Sequence, residues 1–248
     1  MPKFFLTFEA NCQSLKAHDT IEITGPDALH ISKTLRMRVG ESLTVTDAKG
    51  LDYSCVIDSV TASSVFLKIL EISKCDKESD KEIYLFQALV KNDKMDMVIQ
   101  KAVELGVNHV YPVTAERSIV KLDRDGEKKK LERWNKIALE AAKQCGRGII
   151  PEVHSPVSVK ECANILSSLD LSFYCYETAE DRTVKDLMRE ASFSTIGFYI
   201  GPEGGIAPFE ADIFDSAGIP AVSLGKLILR TETAGIAVLS MILYETRL

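Results

Sequence analysis

From Glu82 onward, short apolar, β-rich runs alternate with longer amphipathic stretches, and this rhythm most limits what the chain can fold into. The runs cover residues 83–90, 107–113, 171–176, 196–200 and 221–224. Between them, residues 94–105, a long segment from 124, 159–167 and 183–190 read as helices. Gly106 closes the first helix and Gly146-Arg147-Gly148 the second. Strands separated by whole helices form crossovers rather than hairpins, so a mostly parallel sheet covered by helices is expected. Two of these runs end in glycine-marked loops: 196–200 feeds Gly201-Pro202-Glu203-Gly204-Gly205, and 221–224 ends at Gly225. Beyond the carboxyl ends of such strands lies the expected ligand crevice.

The loop chemistry narrows the ligand. Gly201, Gly204 and Gly205 let backbone approach a ligand closely, and Pro202 stiffens the turn. The spacing is neither G-x-G-x-x-G nor a phosphate loop, and Glu203 would repel a pyrophosphate. A neutral or cationic adenosyl ligand suits the site better than a nucleotide polyphosphate. A sharp strand-to-helix turn with no ligand accounts for the same residues. The Leu229-Arg230-Thr231-Glu232-Thr233-Ala234 stretch then opens the C-terminal helix. Thr231 or Thr233 can cap that helix, and Glu232 in its first turn suits the dipole. Arg230 is left without a structural reason.

The first third of the chain follows a different rhythm. Residues 4–8, 42–47, 52–60 and 64–72 read as strands, with a short helix over 28–35. These strands lie too close together for crossover helices, so a small antiparallel sheet or barrel is expected. The polar segment 74–81 marks the domain boundary.

At 248 residues the chain has room for two modest cores, and its net charge of -6 advertises no nucleic-acid partner. The distribution of charge says more. Residues 117–147 hold ten Lys and Arg against five Asp and Glu, a local surplus of +5 that could hold a phosphate backbone. A solvated, ion-paired helix surface explains the same count. Lys33, Arg36 and Arg38 form a smaller basic cluster beside His30. A lone histidine in such a place is more often a packing or capping residue than a catalyst, and His18, His109 and His154 suggest less still. The six cysteines (Cys12, Cys55, Cys75, Cys145, Cys162, Cys175) form no C-x-x-C pair, so neither a metal site nor a disulfide framework is expected. No run of eighteen apolar residues and no signal-peptide segment is visible, so the expected location is cytoplasmic, without a membrane partner.

Several segments together resemble the bacterial ribosomal RNA small-subunit methyltransferase E family, of the knotted (SPOUT) methyltransferase class. They are IGPEGG (200–205), LG (224–225), ILRTETA (228–234), HISKTLRMRVGE (30–41), KAVELGV (101–107), ERSIVK (116–121) and ERWNKIALEAAKQCGRGIIPEV (132–153). The resemblance covers nearly the whole chain in order. It implies an α/β fold whose C-terminal SPOUT domain (75–248) carries a deep trefoil knot, preceded by a PUA-like antiparallel β-barrel (1–74) that binds RNA. It also implies a homodimer that transfers a methyl group from S-adenosylmethionine to N3 of one uridine in 16S ribosomal RNA.

Carried over by residue, the cofactor loops would comprise Tyr176, Glu177, Ile200, Gly201, Gly204, Gly205, Leu224, Gly225, Ile228, Leu229 and Thr231. Arg230 and Glu232 would serve catalysis, and no metal is implied. RNA would be held by His30, Arg36, Arg38, Arg117, Lys121 and Arg147. The chain departs from the family pattern at Ile206 and Ala207, where an aromatic residue and serine are usual, and at Leu227, often arginine. Two other readings share some of these features: a knotted ribose 2'-O-methyltransferase, and a non-catalytic RNA-binding or ribosome-assembly protein.

Overall fold

The computed structural model describes residues 3–6, 15–179, 182–190 and 192–247. It divides into two compact units: residues 1–78 with 142–150, and residues 79–141 with 151–248.

The first unit is a five-stranded sheet in the order β1-β3-β4-β5-β2. Its strands are β1 (Lys3–Phe5), β2 (Thr20–Thr24), β3 (Ser42–Thr46), β4 (Leu51–Val60) and β5 (Ser64–Lys74). Residues 7–8 of the first expected strand lie outside the described residues, as does Cys12. All pairs are antiparallel except β1 with β3, which run parallel. Register shifts near Ser54/Cys55 and Ile57/Ser59 curl the long β4–β5 ribbon, as bulges do by adding local twist. Inward residues such as Ile23, Leu43, Val45, Ile57, Leu67 and Ile69 form its core. Strand β2 is not among the expected strands. Its alternation buries only Ile21 and Ile23, too short a pattern to separate from loop.

The expected helix over 28–35 is instead a short α1 (Gly25–Leu29) running into a π-helical turn over His30–Thr34. There the Leu35 amide reaches back to the His30 carbonyl at 2.9 Å. Ile31 is fully buried, whereas His30, Lys33, Arg36 and Arg38 are exposed.

The second unit is α/β. Its sheet is parallel throughout, in the order β12-β10-β11-β6-β7-β8, with β9 also on β7. These strands are β6 (Glu82–Ala88), β7 (His109–Thr114), β8 (Glu152–Val153), β9 (Val157–Ser158), β10 (Leu171–Cys175), β11 (Thr195–Ile200) and β12 (Ala221–Val222). The helices are α2 (Asn92–Glu104), α3 (Arg124–Cys145), α4 (Val159–Leu166), α5 (Val184–Glu190), α6 (Pro208–Ser216) and α7 (Thr231–Arg247). Continuous burial along β11 marks a central strand covered on both faces. Phe86, Tyr174, Tyr199 and Phe214 fill one face of the sheet. Phe173 and Phe198 stack with centroids 5.7 Å apart. Ser158 and Glu161 close a reciprocal capping box at the start of α4.

Candidate active site

Strands β10, β11 and β12 end level with one another, because Cys175 pairs with both Ile200 and Val222. Three loops therefore leave the sheet side by side: 176–179, 201–207 and 223–230. This is the crevice position expected for an open parallel sheet.

The 201–207 loop is shaped by what its glycines leave out. The Gly205 amide donates to the Pro202 carbonyl at 2.9 Å, closing a tight turn. Gly205 has φ of +73°, and a Cβ there would lie 2.7 Å from Glu177 Oε1. The Glu177 carboxylate thus occupies the room a side chain would take, joining the first loop to the second. A Cβ on Gly201 would lie 2.7 Å from Cγ1 of Ile206, which is buried. The departure at Ile206 is therefore a packing residue above the glycine backbone. Ala207 is buried too, while Leu227 is 80% exposed.

Two residues hold this loop: Glu210, which the sequence reading did not single out, and Arg117, which it placed on the RNA. The buried carboxylate of Glu210 accepts the Glu116 amide at 2.8 Å and the Ala207 amide at 3.0 Å. The Arg117 guanidinium donates to the Gly204 carbonyl at 3.1 Å and the Ile206 carbonyl at 3.4 Å. Arg117 is exposed but already braces the loop. Lys121 is also exposed.

The start of α7 is tied to the sheet through a side-chain relay. Gln87, at the end of β6, donates through Nε2 to Thr231 Oγ1 at 2.8 Å. Thr231 Oγ1 in turn donates to the Gly201 carbonyl at 2.6 Å. Thr231 therefore does not cap its helix: its hydroxyl joins β6, α7 and the glycine loop. The Thr233 and Ala234 amides turn instead to the Arg230 carbonyl, at 2.9 and 2.8 Å. Gln87 lies in an apolar run, where nothing in its spacing distinguishes it.

Charge is concentrated beside this relay. Lys94 of α2 lies 3.2 Å from Glu203 and 3.4 Å from Glu232 Oε1. The hydrogen bond to Glu203, with Glu232 beside it, outweighs desolvation and raises the Lys94 pKa, keeping the ammonium charged. Glu232 is buried, and its second oxygen, Oε2, has no hydrogen-bond partner among the described residues. Gln87 Oε1 is likewise buried and unpartnered. Such orphaned acceptors are uncommon in a folded interior, and a donor from a bound group would satisfy them. Arg230 is exposed, and its guanidinium has no hydrogen-bond or ion-pair partner among the described residues.

These features fit an adenosyl ligand. The three loops leave adjacent strands, apolar Leu224, Ile228 and Leu229 lie on the 223–230 loop, and Ile228 is 89% exposed for want of cover. A Cβ at Gly225 would meet nothing within 4 Å, so that stretch of backbone faces open space. Ile200 ends β11, and Tyr176 follows directly on β10. The sequence-predicted cofactor residues thus all lie on, or at the root of, the three loops and the first turn of α7.

The expected RNA residues do not share one circumstance. Arg147 is 4% exposed, and its guanidinium meets Glu78 Oε2 at 2.8 Å. The same carboxylate accepts the Gly148 and Ile149 amides at 2.8 and 3.1 Å. That corrects its expected position: Arg147 is enclosed in an ion pair that pins its own segment. Within the basic stretch, Arg133 pairs with Asp96 and Lys143 with Asp27, so part of the surplus is an ion-paired surface.

Comparison with known proteins gives the same picture. Residues 77–243 match the RNA methyltransferase domain family. Across its full length the chain is 33% identical to the ribosomal RNA small subunit methyltransferase E of Bacillus subtilis, covering 98% of that protein. It also superimposes on solved structures, among them two that hold the cofactor. One is the ribosomal RNA small subunit methyltransferase E of Neisseria gonorrhoeae bound to S-adenosylmethionine (31% identity, TM-score 0.85, covering 99% of this chain and 98% of that one). The other is a Legionella pneumophila methyltransferase with its bound cofactor SAM (30% identity, TM-score 0.82, covering 98% and 97%). With a curled N-terminal sheet, a C-terminal α/β region of the SPOUT class and full-length likeness to these relatives, the chain belongs to the ribosomal RNA small subunit methyltransferase E family.

Proposed function

We propose that this protein uses S-adenosylmethionine to methylate N3 of a specific uridine in 16S ribosomal RNA. The observation that carries the reading is the level ending of β10, β11 and β12, which brings three loops together beside Arg230, an arginine without a partner among the described residues. When bound, the cofactor supplies an electrophilic methyl group on a sulfonium; the remaining work falls to the protein. The three loops orient the adenosyl group and exclude water. The Gln87–Thr231–Gly201 relay fixes where α7 begins, and with it the position of Arg230.

Uridine N3 carries a proton at neutral pH, and methylation requires its loss. The guanidinium of Arg230, set against the uracil oxygens, stabilises the anion that develops as the N3 proton leaves. Glu232, paired with Lys94, lies two residues along the chain from Arg230 and orients it or relays the departing proton. Lifting the base from its stack costs least in looped or single-stranded RNA.

In this reading residues 1–74 form a PUA-like RNA-binding domain, and exposed His30, Arg36 and Arg38 there hold RNA together with Arg117 and Lys121. Residues 75–248 form the knotted methyltransferase domain of a cytoplasmic homodimer. Exposed Leu227, Ile228, Met241 and Tyr244 supply apolar surface for the second copy. No described helix is long and apolar enough to cross a membrane.

Arg230→Ala provides the test. Turnover should fall by about 100- to 1,000-fold, as for loss of a donor to developing charge, while S-adenosylmethionine affinity by calorimetry stays nearly constant. Equal loss of both would make Arg230 a structural residue.

A further inference from the structure

At the opposite ends of the parallel strands lies a cluster that the methyl-transfer reading does not use. Glu82, His109 and Glu152 begin the adjacent strands β6, β7 and β8, and His154 follows β8 directly. His109 Nε2 lies 2.8 Å from Glu82 Oε1, and His109 Nδ1 lies 2.9 Å from His154 Nε2. Glu152 Oε1 is 3.5 Å from His154 Nδ1. One ligand atom each from His109, Glu152 and His154 can be chosen so that all three lie within 4.8 Å of one another.

We propose that His109, His154 and Glu152 form a binding site for one divalent transition-metal ion of the zinc class. Two imidazoles and a carboxylate are a borderline donor set that suits zinc, cobalt or nickel rather than magnesium or calcium. Glu82 supplies the outer partner such sites use: by accepting from Nε2–H it fixes the His109 tautomer that presents a lone pair at Nδ1. Tyr84 stacks on His109 with centroids 4.5 Å apart, and Tyr111 on His154 at 3.9 Å and 3° between planes. These faces oppose tilting of either ring but permit turning within its plane. Zinc–nitrogen bonds of about 2.0–2.1 Å in a tetrahedral site separate ligand atoms by about 3.3 Å. The 2.9 Å contact between the rings therefore needs to open by only a few tenths of an ångström, while the exposed Glu152 carboxylate, which lies beside His154 Nδ1, swings round to the same point. The Glu152 side chain is 62% exposed, so the ion has a route in, and a fourth position remains for water. Its effect would be to fasten the two-residue strand β8 to β7.

The test uses the full chain, stripped with a chelator and then titrated with Zn²⁺ alone by calorimetry and with Co²⁺ alone by visible absorption. One ion per chain is expected, with a d–d spectrum of nitrogen and oxygen ligation and a rise in melting temperature. His154→Ala should abolish the cobalt spectrum. The exposed Glu152→Gln, which leaves the core intact, should weaken binding, and Glu82→Gln should weaken it by about 10- to 100-fold as an outer-partner loss. Absence of binding by the wild-type chain would overturn the proposal. So would binding that survives in His154→Ala, or a thiolate-to-cobalt charge-transfer band, which would put the ion on cysteine.

Discussion

Arg147, between two glycines in the 142–150 segment, and Arg230, at the end of the 223–230 loop, are both cations on irregular backbone, yet they end in opposite circumstances. Arg147 is enclosed with Glu78, whose carboxylate also gathers two backbone amides. Arg230 is exposed, its guanidinium without a partner among the described residues, while its own carbonyl caps α7. A charge that folding has matched serves the fold; a charge left unmatched beside a crevice serves a ligand. Burial and pairing separate the two roles, and neither can be seen in the local sequence.

The sharpest way to break this contrast is to exchange the readouts. Arg147→Ala should cost about 3 kcal/mol of stability, because the partly buried Glu78 carboxylate loses the guanidinium and keeps the Gly148 and Ile149 amides. Arg230→Ala should change the urea midpoint little, within the roughly 0.5 kcal/mol usual for exposed positions, despite its loss of turnover. Urea unfolding of both variants, alongside kinetics, measures the difference directly. A large stability loss at Arg230 would erase the distinction.

Thr231→Val comes next. It leaves the Gln87 amide and the Gly201 carbonyl short of a buried partner, at an expected cost of about 1–3 kcal/mol. Because the relay also sets the glycine loop, cofactor affinity should fall with stability, which calorimetry and melting on one sample would reveal.

A smaller effect separates two glycines. Gly205→Ala and Gly106→Ala both force a side chain into the left-handed region (φ +73° and +93°), costing about 1–2 kcal/mol each. Only Gly205 lies against Glu177, so only Gly205→Ala should also weaken S-adenosylmethionine binding.

The smallest effect is in pH. Burial alone would raise the Glu78 pKa, but Arg147 and the Gly148 and Ile149 amides outweigh it and hold the carboxyl below its ordinary value. Its folded pKa is depressed, so its stabilisation is fully present above the ordinary glutamate range. That contribution is lost as pH falls through the folded value. Urea midpoints between neutral and acid pH should therefore drop more steeply for wild type than for Glu78→Gln.

Much of the second unit was legible because helices and strands there have different periods, and glycines mark the strand ends. Every run from 83 to 224 read as a strand contains one, with bounds shifted by one or two residues. The first unit was harder to read. Strand β2 carries only two inward residues, and the π-helical turn at His30 leaves no mark in apolar spacing. Within the site, the loops carried a signal but their supports did not. Gln87 sits inside an apolar strand, Lys94 and Glu210 on ordinary helical faces, and Glu78 in a segment that reads as a linker. Their importance arises from partners 69 to 144 residues away, a separation that no local pattern encodes. His109 and His154 meet for the same reason: β7 and β8 are neighbours in space but 45 residues separate the rings.

The central claim is the reaction itself. Small ribosomal subunits lacking their native modifications would be incubated with the protein and labelled S-adenosylmethionine, and their RNA digested to nucleosides. Label recovered as 3-methyluridine is the predicted result. Label on a ribose 2'-hydroxyl, or cofactor binding with no label on any RNA, would contradict it and turn attention to Ile206, Ala207 and Leu227, where this chain departs from its family.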